Sequence, residues 1–549
     1  MNLGRRTVYC LVISLLCANV LVRFPYSDHE TGADSFFIHS LSTTITERHY
    51  MPWVLNPLGY FGWYPLSYPS AGPIVISGVS QTAGITGEGA ILVLSGLYGI
   101  LGVLAAFMMA RAFRRDDVFA LIVAAVFSLA PRFVVFTQWS ASSRNLFMTL
   151  IPVFIWGLVR AYRRPTVSNV AIPTSVLLLM IATHRLTILL AVVVIASVVA
   201  YVFLMVHRIM RIQWPKYLLS RSFRRWIPVL ALVWIFAIAV VMIAGTGVLG
   251  EYSAGEICSG PTTIDQLCNL GVSITRSVGL ALPFALVGIF EVVRIRNKSF
   301  LEAFLVLSLL ALLPTLFLRE YTGFYILPFL ALLAGFGIMS LLRILRRHPR
   351  MARTAVVASL IITTSFALGV LRIEEGRANW MQDSTYSTAL YLRSSGPVSY
   401  VANDGLVGEQ ISAISGRNGL PVGGASTTAQ SPELLTMGAW NASEVSRRER
   451  RIPLTSLTIE DDSPFILEGI NALRDWVDKL LTRRVSEVTP TIVNQYRITY
   501  FVETDALRGS FTAFGNIYGS VFAETVHLQR FKVFDGSTED LYLAFGSPN

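Results

Sequence analysis

Apolar positions along this chain come in long blocks rather than in alternation. Runs long enough to cross a bilayer, roughly 17–25 residues each, recur from the N-terminus to about residue 371. They predict helices near 7–23, 89–110, 118–136, 144–161, 168–182, 186–206, 226–249, 272–293, 299–317, 323–342 and 354–371. The pattern changes after residue 372. There "GPVSYVAND" and "RITYFVET" read as short strands rich in β-branched and aromatic residues. "VGEQISAISG" and "LEGINALRDWVDKLLTRR" have helical periodicity. The expected fold is a polytopic α-helical membrane protein of about eleven transmembrane helices with a C-terminal α/β domain. Its expected parts are 1–88 (first helix and a long loop), 89–371 (helical bundle) and 372–549 (α/β domain).

Charge orients the helices. Alternate loops hold Arg111/Arg114/Arg115, Arg160/Arg163/Arg164, Arg208 through Arg225, Arg294/Arg296/Lys298 and Arg343 through Arg353, while the intervening loops are nearly free of Lys and Arg. The positive-inside rule puts the basic loops in the cytoplasm. The N-terminus is then cytoplasmic and residues 372–549 extracytoplasmic. The first run follows Arg5-Arg6 and has no small-x-small cleavage site after it, which reads as an uncleaved helix rather than a signal peptide.

Composition agrees. Of 549 residues 53% are hydrophobic and only 14% charged, against about a quarter charged in soluble proteins. The net charge of +11 is no sign of a nucleic-acid partner. From 372 onward there are 16 basic and 21 acidic residues; the other 29 basic residues lie mostly in cytoplasmic loops, so topology accounts for the basicity. Cys10 and Cys17 fall inside the first helix, whereas Cys258 and Cys268 share one outer loop, where an oxidising compartment permits a disulfide.

The candidate chemistry lies on the outer side. Ionisable residues in so apolar a chain are costly and need a reason. The first loop gathers Asp28, His29, Glu30, Asp34, His39, Glu47, Arg48 and His49; later outer segments add Arg144, His184-Arg185, Glu251, Glu256, Arg276 and Arg319-Glu320. Plainer readings compete. Asp34 in "GADSFF", before the pattern Phe37, Leu41, Ile45, is a good helix cap. His39 could bond a carbonyl, and Arg144 and Arg319 could snorkel to head groups. Tyr60, Trp63, Tyr64 and Tyr68 suit the head-group belt, and their faces also stack on sugars and prenyl chains. The apolar stretch 73–85 is too short to span and predicts a re-entrant or surface helix.

The chain resembles the GT-C membrane glycosyltransferases, which use sugars carried on polyprenyl phosphates. The likeness rests on the topology and on two first-loop patterns. Gly32, Asp34 and His39 match G-x-D-x-x-x-x-H, and Tyr64-Pro65-Leu66-Ser67-Tyr68-Pro69 matches Y-P-x-x-Y-P. The later "TQWSASSRNLF" and "THR" segments look like that group too. The resemblance implies that Asp34 lies at the catalytic centre, flanked by Glu30 and His39. It implies that Arg319, a late outer-loop arginine, engages the carrier phosphate, with Arg144, His184, Arg185, Tyr64 and Tyr68 as further substrate contacts. The C-terminal region lacks the Trp-Trp-Asp triplet of oligosaccharyltransferases, so transfer of a whole glycan to asparagine is not implied.

Glycosyl transfer passes through an oxocarbenium-like transition state, for which a carboxylate activates the acceptor or stabilises the charge. The leaving phosphate needs arginine or a divalent cation such as magnesium or manganese, and the sequence leaves that choice open. The expected partners are a polyprenyl-phosphate-linked sugar, membrane lipids and an acceptor glycan, lipid or protein. Two other classes stay open: a transporter or flippase of lipid-linked glycans, which needs ionisable residues near the midplane and broken helices in pairs, and a non-catalytic scaffold of an envelope assembly.

Overall fold

The computed structural model describes residues 4–25, 27–49, 71–184, 187, 189–210, 271, 274, 277–295, 298–318, 323–345, 381–395, 399–402, 405–421, 498–504, 529–535 and 539–545. The expected helices at 226–249 and 354–371, and the segment "LEGINALRDWVDKLLTRR", lie outside them. The chain divides into two compact units: Met1–Tyr26, Val93–Trp139 and Arg144–Ala378 form one; Ser27–Leu92, Ser140–Ser143 and Asn379–Asn549 form the other.

The first unit is helical. It holds α1 (Arg5–Val22), α4 (Gly87–Phe113) from Val93 onward, α5 (Asp117–Ser128), α6 (Pro131–Phe136) and α7 (Ser143–Arg163). It continues with α8 (Val167–Thr183), α9 (Leu190–Met210), α10 (Leu282–Arg294), α11 (Phe300–Leu318) and α12 (Gly323–Leu345). Gly87–Phe113, Ser143–Arg163 and Gly323–Arg343 are long and apolar enough to cross a bilayer, and the protein is a membrane protein. Helix starts follow local chemistry. The Asp116 carboxylate accepts from Val118 N at 3.0 Å and Phe119 N at 3.2 Å at the head of α5, and Thr166 Oγ1 accepts from Asn169 N at the head of α8.

The helix expected over 118–136 is broken in two. Pro131 has no N–H and keeps the residue before it out of the helical region. Ala130 is extended (φ −61°, ψ 136°) and α6 restarts at the proline. A buried arginine uses that break. Arg23 Nε and Nη2 donate to Thr137 Oγ1 at 2.9 and 2.7 Å, and Nη1 donates to the Asn19 carbonyl and Oδ1 at 3.0 and 2.9 Å. Asn19 Nδ2 in turn donates to Ser128 Oγ at 3.0 Å. A buried charge needs this many acceptors, and the network ties the end of α1 to the α5–α6 corner.

α10 and α12 pack backbone to backbone. A Cβ on Gly288 would overlap the Leu333 carbonyl, and one on Gly337 would overlap the Phe284 carbonyl. Glycines at such crossings let helices approach without side chains between them.

The second unit joins the first loop to the C-terminal residues. It holds α2 (Ala33–Arg48), α3 (Ala71–Ala83), α13 (Asp383–Ser394), β1 (Ser399–Ala402), α14 (Gly405–Ser415), β2 (Asn418–Pro421), β3 (Ile498–Thr504), β4 (Gln529–Asp535) and β5 (Glu539–Phe545). The strands form one sheet, ordered β2-β1-β3-β5-β4. β1 runs parallel to β2 and β3, whereas β5 is antiparallel to β3 and β4. Phe36 of α2 is wholly buried in one cluster with Met381, Ala389, Leu392, Ile411, Ala413, Ile414 and Val502. Thr43 Oγ1 donates to the Ala413 carbonyl at 2.9 Å. α2 is thus a wall of the C-terminal core although more than three hundred residues separate the two in sequence.

Gly288→Ala is expected to lower the apparent melting temperature of the detergent-purified protein, because overpacking of this kind costs about 1–3 kcal/mol. Gly96→Ala, whose added methyl meets open space, is expected to melt as the parent does.

Candidate active site

The turn into α2 carries the chemistry. Gly32 takes φ +95°, a conformation that favours glycine, and a Cβ there would press on Ser140 Oγ. The helix begins at Ala33, so Gly32 occupies the cap position and offers no side-chain cap bond. Asp34 is the second helical residue rather than the cap, and the capping account of it loses its geometry. Because the chain turns at Gly32, Glu30 precedes the helix and does not lie one helical turn from Asp34.

Glu30 is buried with 0% exposure. Each of its oxygens has a partner: His39 Nδ1 lies 2.5 Å from Oε1, and Ser35 Oγ donates to Oε2 at 2.7 Å. His39 is therefore paired with a carboxylate rather than with a backbone carbonyl. Its Nε2 edge lies against Gly87, where a Cβ would overlap the ring. Burial alone pushes the His39 imidazole down; the Glu30 charge and hydrogen bond, joined by the Glu88 charge, outweigh it and hold the pKa above the usual 6.5. His39 thus lies about one and a half turns along the helix from Asp34, with its protonated form favoured by Glu30.

A second cluster adjoins the first. The Glu88 carboxylate, through Oε1, accepts from Glu30 N at 3.0 Å and lies 3.1 Å from His29 Nδ1. His29 Nε2 is 3.7 Å from Asp383 Oδ1, and the His29 ring stacks on Tyr386 at 4.2 Å. Both clusters fall within the second unit.

Other expected site residues lie in the first unit. The Arg144 guanidinium stands 5.0 Å from the Phe136 ring centre, and Phe136 meets Phe324 edge-on at 5.0 Å. His184 is buried 5.1 Å from Phe147, which meets Tyr325 at 5.5 Å. Arg144 and His184 therefore reach, through aromatic rings, the first turn of α12, a few residues past Arg319. Arg132 reaches the same turn with its guanidinium 5.0 Å from Phe324. The Asp34 side chain and Arg319, Arg185, Tyr64, Tyr68, Cys258 and Cys268 lie outside what the structure describes.

Sequence reasoning missed Ser35, Glu88, Arg132, Asp383 and Tyr386. Arg132 was hidden inside an apolar run, and a lone serine in a helical turn carries no signal. Glu88, at the start of an apolar helix, was readable as an outer charge. Among the described residues no three His, Cys, Asp or Glu side chains are grouped to hold a metal ion. Glu30, with both oxygens engaged, does not offer itself as a ligand. The described donors by themselves do not make a divalent-cation site.

Solved structures share this fold. The chain superposes on the Archaeoglobus fulgidus oligosaccharyltransferase in a crystal structure with Zn and sulfate, with a TM-score of 0.55 at 14% identity, over 97% of this chain and 72% of that one. It superposes on the oligosaccharyltransferase AglB from Archaeoglobus fulgidus in complex with an inhibitory peptide and a dolichol-phosphate, with a TM-score of 0.55 at 12% identity, over 98% and 74%. ArnT from Cupriavidus metallidurans bound to undecaprenyl phosphate gives 0.52 at 11% identity, over 99% of both chains. At these identities the likeness is one of fold. No family model and no curated protein matches the chain.

Glu30→Gln is expected to lower the His39 pKa, since burial is then opposed by the Glu88 charge alone; histidine-selective NMR reads it directly. In the parent the raised pKa means that the pair's contribution to stability is full below pH 6.5 and is lost as pH rises through the folded-state value. The stability gap between the parent and His39→Gln should therefore narrow with rising pH.

Proposed function

We propose that this protein is a GT-C membrane glycosyltransferase that moves a sugar from a polyprenyl-phosphate-linked donor to an acceptor outside the cytoplasm. The observation that carries the reading is the fold likeness, over 98–99% of the chain, to glycosyltransferases whose structures hold dolichol-phosphate or undecaprenyl phosphate. The buried turn at Gly32–His39 supports it, since it presents the acid of the first-loop pattern on a rigid base.

In this reading Asp34 takes the proton from the acceptor hydroxyl as the acceptor oxygen bonds to the sugar's anomeric carbon. The bond from that carbon to the phosphate oxygen breaks on the opposite face, so the configuration inverts and the phosphate leaves with the electron pair. Arg319, with Arg144, balances the charge on the leaving phosphate. His184 and Arg185 bind beside them, and Tyr64 and Tyr68 stack on the sugar or the prenyl chain. Glu30, with its oxygens already engaged, favours the protonated form of His39 and holds the ring against the acidic turn. A divalent cation, magnesium or manganese, remains part of the proposal only with ligands from beyond the described residues, and no step is routed through it.

The topology belongs to the same proposal: about eleven spans, a cytoplasmic N-terminus, and an extracytoplasmic α/β domain over 372–549. Cys258 and Cys268 are bridged in one outer loop. On oriented sealed vesicles, protease added outside should cut the C-terminal domain; cleavage only from the cytoplasmic face would overturn this arrangement.

Asp34→Asn is expected to insert and melt as the parent does and to lose sugar transfer by roughly two orders of magnitude or more, the scale for losing a general base. Full transfer by this variant would remove Asp34 from the mechanism.

A further inference from the structure

We infer that Ser35 is a positioning residue for the acidic turn, the joint that fixes Asp34 against the loop at 140–143. The inference deepens the glycosyl-transfer reading and rests on it for its kinetic half only.

Ser35 is wholly buried. Its hydroxyl donates to Glu30 Oε2 at 2.7 Å and accepts from Ala141 N–H at 2.5 Å. Its own N–H donates to the Gly32 carbonyl at 3.0 Å. One residue thus ties together the buried carboxylate, the glycine turn and the Ser140–Ser143 segment, which belongs to the same compact unit. Ser140 Oγ lies on the other side, where a Cβ on Gly32 would press on it.

The geometry calls for a hydroxyl. The group must donate a hydrogen bond to a carboxylate and accept one from a backbone amide, and a hydroxyl does both. Alanine would orphan a buried amide and a buried carboxylate oxygen together. Asp34 is the adjacent residue in the first turn of the helix, so play at Ser35 becomes play at Asp34. Errors of about 1 Å in a reacting group can cost a hundredfold in rate. Ser35 touches no reacting atom in this scheme, so its effect on turnover goes through Asp34.

The test compares the full-length parent, Ser35→Ala and Ser35→Cys in nanodiscs. Hydrogen exchange is measured over 30–37 and 139–143, and turnover is measured on a polyprenyl-phosphate-linked sugar that the parent consumes. Ser35→Ala should lose protection in those two segments alone and lower kcat at least tenfold, with KM for the donor within about twofold. Ser35→Cys keeps the volume with a weak donor and should fall between; if the alanine variant does not accumulate, the cysteine variant is read the same way. Parent-like protection and kcat in both variants would overturn the inference, as would deprotection spread over the whole chain. A parent that consumes no such sugar would count against the glycosyl-transfer reading; local deprotection in the variants would still establish Ser35 as the joint.

Discussion

A carboxylate without access to water must find donors for its oxygens or lose its charge. Glu30 meets that requirement with one imidazole and one hydroxyl. Everything around the acidic turn follows from this. The pKa of His39 is raised because it faces Glu30, and Gly87 must be a glycine because the ring lies on it. Ser35 must reach Glu30 and is thereby placed to take the Ala141 amide. The turn at Gly32 brings Glu30 back to the helix that supplies both partners. A rigid charged knot is thus assembled from a few residues on either side of a glycine, and Asp34 is carried at its edge.

The second support of α2 is apolar. Phe36 inserts into a core built from α13, α14 and β3, and burying a phenylalanine of this kind is worth about 3–5 kcal/mol against alanine. The C-terminal residues therefore do more than follow the membrane bundle in sequence: they supply one side of the scaffold under the first loop. His29, between Glu88 and Asp383 and stacked on Tyr386, adds a polar contact to the same joint.

Much of this was legible in the chain. The long apolar blocks led to the helices, and the clustering of rare charges in the first loop led to Glu30 and His39. The proline at 131 broke a helix that hydropathy alone had run through, since hydropathy averages over a missing N–H. Of the pattern Phe37, Leu41, Ile45 on α2, Leu41 and Ile45 are buried, whereas Phe37 is 40% exposed and its neighbour Phe36 has no exposure. Both phenylalanines are apolar, and which of them is buried is decided by partners more than three hundred residues away. Ser35 was illegible for a related reason. A serine near a helix start reads as a capping or solvated residue, and only the approach of Ala141 gives it a role.

The most direct test of the account is to incubate the purified protein in nanodiscs with polyprenyl-phosphate-linked sugars and a panel of hydroxyl-bearing glycan, lipid and peptide acceptors, and to follow the carrier by mass spectrometry. The account predicts release of free polyprenyl phosphate together with loss of the sugar-linked form. Movement of the intact lipid-linked sugar between leaflets without cleavage would contradict it.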